Sequence, residues 1–200
     1  MACDITRGRL IDCKDTIGGL KAIYICKAYN SNIEEVSTIA LTEMTDAGFS
    51  TWSAQEAAKT IVFKYDLIPN LSSMTVNVNS DNANGTAFFE QTLAVTLQKI
   101  DHDTTNELRL MAYSRAQIFV QDSLDNVFLL GFNNGCHVSG GTVVTGAAMG
   151  DMNGYTIAWS AQEKNALIQI KATDGPAETN YPFDGLADGG VADLTITLGT

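Results

Sequence analysis

Three constellations in this chain invite a chemical reading. Gly141 and Gly146 stand at the interval of a phosphate-binding loop, where backbone amides cradle phosphates and a following Lys-Ser/Thr pair reaches the outer phosphates and magnesium. Ala147 and Ala148 occupy those two following positions, and neither side chain can donate or ligate. Cys136 and His137 offer a thiolate and an imidazole, but neighbours in a strand point to opposite faces, and His102 is the only other imidazole. Asp101, Asp103 and Glu107 form a loose acidic cluster suited to calcium, yet a helix N-terminus favours the same residues beside its positive dipole end. With no triad, no paired carboxylates in a catalytic setting and no cofactor loop, the expectation is a non-enzyme without cofactor or metal.

Composition narrows the function classes further. The chain has 200 residues, long enough to bury a core without disulfide or metal, and its 3 Pro against 17 Gly do not fit a disordered linker. Twelve basic residues against 23 acidic ones leave a net charge of -11. Tight binding to a phosphate backbone draws on Lys and Arg that release counterions, so this balance opposes nucleic-acid binding. Met1 to Arg7 hold no apolar signal-like run, and no segment reaches the roughly 18–20 apolar residues that span a bilayer. Folding in a cytoplasm, without membrane association, is therefore expected. There, Cys3, Cys13, Cys26 and Cys136, which lack CxxC spacing, are expected to be free and mostly buried thiols.

The elements that position these residues read mainly as strands. Residues 20–29 are β-branched and aromatic after the Gly18-Gly19 break; 33–44 fit strand or helix equally; 51–65 read as a strand that ends before Pro69. Met74, Val76 and Val78 then alternate with polar residues, and Asp81 to Gly85 supply a turn. Over residues 88–100 the period of two is sustained, with Phe89, Leu93, Val95 and Leu97 on one face and Glu90, Thr92, Thr96 and Gln98 on the other. Thr104 and Glu107 have capping-box spacing and predict a short helix over about 104–114 that packs against a sheet. Strands at 116–121 and 127–132 flank a hairpin turn at 122–126. Residues 133–154 form a Gly/Ser/Thr/Asn-rich passage. Tyr155, Ile157, Trp159 and Ala161 then alternate with Thr156, Ala158, Ser160 and Gln162, and a loop over about 171–190 precedes a last strand at 194–198.

Several stretches carry a family likeness. The run Phe89-Glu90-Gln91-Thr92-Leu93-Ala94-Val95-Thr96-Leu97, then Thr105-Asn106-Glu107-Leu108-Arg109-Leu110-Met111-Ala112-Tyr113, then Gly140 to Thr156, resembles the tail tube proteins of tailed bacteriophages. The opening Met1 to Arg9, with Cys13-Lys14-Asp15 and Gly18-Gly19, is similar to the start of the same proteins. The likeness covers most of residues 1–30 and 86–163. It implies a mainly β fold, an antiparallel sandwich or barrel with one flanking helix; with the long loop near 172–192 read from the residues themselves, a single domain over 1–200 is expected. It also implies hexameric rings stacked into a hollow tube in the virion tail, assembled in the host cytoplasm. Partners would be other copies of the chain, a tail terminator, a baseplate and, in a contractile tail, a sheath, with DNA passing through the lumen without tight binding.

Two features of the residues themselves agree with that picture. Long alternating strands without protective Pro or inward Lys at the edges invite pairing with another chain, and closure against identical neighbours satisfies them. A conduit that must not retain DNA needs walls free of fixed cations. The lumen candidates are Glu90, Thr92, Thr96 and Gln98, followed by Thr156, Ser160 and Gln162. Residues 33–53 and 172–192 are candidates for joining successive rings. A competing class is a β-sandwich binding module, such as a capsid decoration or carbohydrate-binding domain, which would expose aromatics such as Trp52, Tyr113 or Trp159.

Overall fold

Strand β4 (Thr86–Gln98) shows how the alternation in the sequence becomes architecture. Leu93 and Val95 are each 1% exposed, while Ala94 between them is open to solvent. Burying each such side chain contributes about 1.5–3 kcal/mol, which sets the face that turns inward and with it the register of the strand. The computed structural model describes residues 16–26, 61–170 and 195–198. The other described elements are β1 (Leu20–Cys26), β2 (Ile61–Asp66), β3 (Ser73–Asp81), α1 (His102–Tyr113), β5 (Ile118–Asp122), β6 (Val127–Leu130), β7 (His137–Val144), β8 (Gly154–Glu163), β9 (Ile168–Ile170) and β10 (Thr195–Leu198).

The strands form two sheets. One has the order β10-β2-β1-β5-β6-β9 and the other β3-β4-β8-β7. Every neighbouring pair is antiparallel except β10 with β2, which is parallel. The sheets pack face to face: Ile23, Ile25, Ile118, Val120 and Leu130 from the first share a core with Leu93, Val95, Tyr155, Ile157, Trp159 and Ala161 from the second. The result is a mainly β, sandwich-like fold with a single short helix among the described residues, and its sheets do not close into a barrel. On the opposite face of the six-stranded sheet, Tyr24, Phe119, Val127 and Leu129 are buried as well. Burial on both faces is why β1 and β5 read as unbroken apolar runs rather than alternations.

Polar side chains tie the layers together. The Gln91 Oε1 accepts the Gly131 N–H at 3.0 Å, and the buried Glu163 carboxylate accepts the backbone N–H groups of Asn133 and Asn134 at 3.0 and 2.9 Å. Asn133 Nδ2 also donates to Glu163, at 2.9 Å. Both acceptors belong to the four-stranded sheet and hold the turn that leads from β6 into β7. Helix α1 is anchored similarly: the Asp101 N–H donates to the Tyr155 hydroxyl at 3.0 Å, and that hydroxyl donates to the Asp101 carbonyl at 2.8 Å.

Several expectations shift in detail. The helix expected over 104–114 starts at His102, because Asp101 is the N-cap and accepts the Asp103 N–H. Thr104 therefore lies inside the first turn rather than at the cap. The passage 133–154 contains β7, whose residues are almost all exposed because it occupies a sheet edge and needs little apolar content. Ala116 is an isolated bridge to Cys136 rather than the start of β5. The hairpin at 122–126 is present, with Asp122 accepting the N–H groups of Leu124 and Asn126, both at 2.8 Å. The readings for 33–44, 51–60 and 171–190, the opening residues 1–15, and Trp52, Cys3 and Cys13 lie outside the described residues.

Candidate functional site

The lumen candidates were drawn from two separate strands, and the register of β4 with β8 joins them. Glu90 lies opposite Gln162, Thr92 opposite Ser160 and Thr96 opposite Thr156, while Gln98 faces Gly154. Directly opposed residues share a face, so all seven occupy the face of the four-stranded sheet that points away from the core. Strand β3 extends that face with Thr75 and Asn77, opposite Thr92 and Glu90. Strand β7 extends it with Thr142, opposite Thr156, and the two threonine hydroxyls hydrogen-bond to each other. The neutral residues Asn77, Thr75 and Thr142 were not among the sequence candidates, since only pairing reveals which strands are neighbours.

Among the described residues no Lys or Arg projects from this face, and its one imidazole is His137, opposite Ser160. Its carboxylates are Glu90, near the middle, and Asp81, at the tip of the β3–β4 hairpin. Asp81 is held below the usual carboxylate range by the Ala83 N–H, with help from the Asn84 side chain. Across the centre runs a row of small residues, Ser73, Ala94, Ala158 and Gly140, one from each strand. With little side chain above the backbone, the row leaves a shallow trough of about 260 Å³ bordered by Thr96, Thr142 and Thr156. Apart from the exposed Phe88 and Val144 near its ends, the surface is polar, carries few charges and is low in relief, which suits sliding contact with a polyanion better than capture of one.

The reactive-looking groups are placed apart. Cys136 is buried, and burial first, then the nearby Glu163 charge, pushes its thiol up to about 12; His137 is exposed. Cys26 is likewise a free, buried thiol raised to about 12 by burial. The Gly141 and Gly146 spacing has a packing cause: a Cβ on Gly141 would meet the Thr156 carbonyl at 2.8 Å, and Gly146 has φ +71 in the β7–β8 turn. Among the described residues no group of three His, Cys, Asp or Glu side chains is arranged to hold a metal ion, and no helix is long and apolar enough to cross a membrane. Of the aromatics that a ligand-binding face would display, Trp159 is 2% exposed and belongs to the core, whereas Tyr113 is 88% exposed near the end of α1.

The four-stranded sheet also has two open edges among the described residues, β3 and β7. Neither contains Pro or Lys. Because an even number of antiparallel strands separates them, the two edges run in opposite directions. A β3 edge laid beside a β7 edge in this orientation would be its antiparallel neighbour, and the alternation would continue unbroken.

No protein-family model and no curated protein matches the chain. Among solved structures it is similar to a chain from "Virion of native gene transfer agent (GTA) particle", with a TM-score of 0.33 and 9% sequence identity over 50% of this chain and 83% of that one.

Proposed function

We propose that this protein is a structural subunit of a phage-type virion, specifically a self-assembling tail tube protein whose four-stranded sheet lines the lumen. The observation that carries the reading is the meeting of all seven candidate residues on one face that, among the described residues, bears no Lys or Arg and is bounded by two oppositely directed edges without Pro or Lys. Edge-to-edge joining of β3 to β7 is a heterologous contact, which forms a ring when its rotation closes. Each copy adds four strands to the wall. With strands about 4.8 Å apart and tilted about 40°, six copies give a backbone radius of roughly 24 Å, which admits a DNA duplex after side chains are counted. Tail terminator and baseplate proteins, with a sheath where the tail is contractile, are the partners of such a tube, and the tail of the virion is its location.

The alternative, a β-sandwich binding module, loses one of its expected exposed aromatics to the core in Trp159 and gains no cluster around Tyr113 among the described residues. Negative-stain electron microscopy across a concentration series separates the two. Six-fold rings or hollow tubes that lengthen with concentration are expected. A monomer at every concentration, combined with saturable glycan binding, would replace the tube by the binding module.

A further inference from the structure

The sequence contains three Asn-Gly pairs: Asn84-Gly85, Asn134-Gly135 and Asn153-Gly154. This dipeptide is the one most prone to spontaneous deamidation, because glycine leaves its N–H unshielded and lets the backbone reach the ring-forming geometry. In an unfolded chain the three pairs are chemically equivalent. The fold makes them unequal.

Asn134 is held at both ends. Its N–H donates to Glu163 at 2.9 Å and its side-chain Nδ2 donates to the Gln162 carbonyl at 2.6 Å. The attacking group there, the N–H of the buried Gly135, is engaged by the Gly131 carbonyl at 3.1 Å. Asn153 uses its carbonyl to accept the Lys99 N–H at 2.8 Å and its Oδ1 to accept the Ile100 N–H at 3.2 Å. Gly154 is buried as the first residue of β8, and even a Cβ there would lie 2.1 Å from the Leu97 carbonyl. Neither backbone has room to turn its nitrogen onto the preceding side chain.

Asn84 is different in each respect. It is exposed in the four-residue turn between Asp81 and Thr86, and Gly85 has φ +62 with no atom within 4 Å of where a Cβ would stand. Among the described residues no hydrogen bond occupies the Gly85 N–H. The Asn84 side chain has one tether, from its Nδ2 to the Asp81 carboxylate.

We infer that Asn84 is a spontaneous modification site, the position at which this fold permits Asn-Gly deamidation while protecting the other two. The Gly85 nitrogen loses its proton and bonds to the Asn84 side-chain carbonyl carbon as the bond from that carbon to Nδ2 breaks, releasing ammonia and leaving a succinimide. Water then opens the ring to aspartate or isoaspartate, so the net change is water consumed and ammonia released. The product replaces a donor to Asp81 with a second carboxylate, turning the tether into a repulsion at the hairpin tip. In the isoaspartate form an extra backbone carbon also lengthens the turn that sets the β3–β4 register.

The test is peptide mapping by mass spectrometry of the purified protein aged at pH 6 and at pH 9, beside a denatured control. Denatured chain is expected to gain 1 Da at all three sites at similar rates, faster at pH 9. Native protein is expected to gain it at Asn84 at close to the denatured rate, with Asn134 and Asn153 slowed by roughly a hundredfold or more, since both require local opening. Asn84→Gln should remove the native signal without changing the unfolding midpoint. Native modification of Asn134 or Asn153 as fast as Asn84, or an Asn84 that is protected as strongly as they are, would overturn the assignment.

Discussion

Glu163 is the residue whose contribution is hardest to see before the fold is known. It ends an alternating strand on the inward face, where an apolar side chain is the ordinary expectation, and it is 2% exposed. Its cost of burial is offset by two backbone N–H groups and one side-chain amide from the turn between β6 and β7. Replacing it with Ala removes the acceptor that the Asn133 and Asn134 amides share at the buried end of this turn. Glu163→Ala should therefore lower stability by about 2–4 kcal/mol, whereas Glu163→Gln, which keeps one acceptor oxygen, should lose less. Urea denaturation of the two variants decides it, and a loss below about 0.5 kcal/mol for the Ala variant would show that the turn holds itself. The inward positions of Leu93, Val95, Ile157 and Trp159 were legible because period two and apolar type coincide there. Gln91 and Glu163 were not, since their partners come from a turn some 30 to 40 residues away in the sequence.

At the scale of elements, legibility followed the same division between local and distant causes. The β4 and β8 strands and the 122–126 turn declare themselves through alternation and Asx chemistry, which act over a few residues. Strand β7 does not, because its partner β8 supplies one side of its hydrogen bonds and the Gly140-Gly141 pair hides its extended character. The start of α1 was displaced for a related reason: the Tyr155 hydroxyl, 54 residues onward, satisfies the Asp101 backbone and lets the helix begin at His102. The proposed edge pairing can be tested on β3 with a matched pair of prolines. Along an antiparallel edge, successive residues direct their N–H alternately toward the partner strand and outward. Of Thr75→Pro and Val76→Pro, one removes a ladder bond to β4 and should cost about 1–3 kcal/mol. The other removes only an outward donor and should fold like the parent while failing to form rings. Circular dichroism melts and electron microscopy on both variants provide the comparison, and ring formation by both would exclude β3 from the junction.

For the whole molecule, charge placement matters more than the net value of -11. The acidic excess alone opposes nucleic-acid binding in general; in the proposed tube, the outer face of the four-stranded sheet is where contact without retention would occur. Thr92, Thr96, Thr156, Ser160, Gln98 and Gln162 give it hydrogen-bonding groups without cations, and Glu90 adds one repulsive charge per copy. Glu90 is half-buried between Asn77 and Gln162, and no ion pair holds it among the described residues, so Glu90→Lys should leave folding and ring assembly intact. Its effect should appear only when the face meets DNA. Each Lys that meets a phosphate releases counterions and raises the slope of log affinity against log salt by about one, so in the proposed tube a ring of substituted copies should retain DNA where the parent should not. Tubes of the variant should bind duplex DNA at low salt and lose it as salt is raised, and a virion carrying them should eject its genome more slowly. Parent-like DNA binding and ejection by correctly assembled Glu90→Lys tubes would place Glu90 away from the lumen and move the search to the other faces of the subunit.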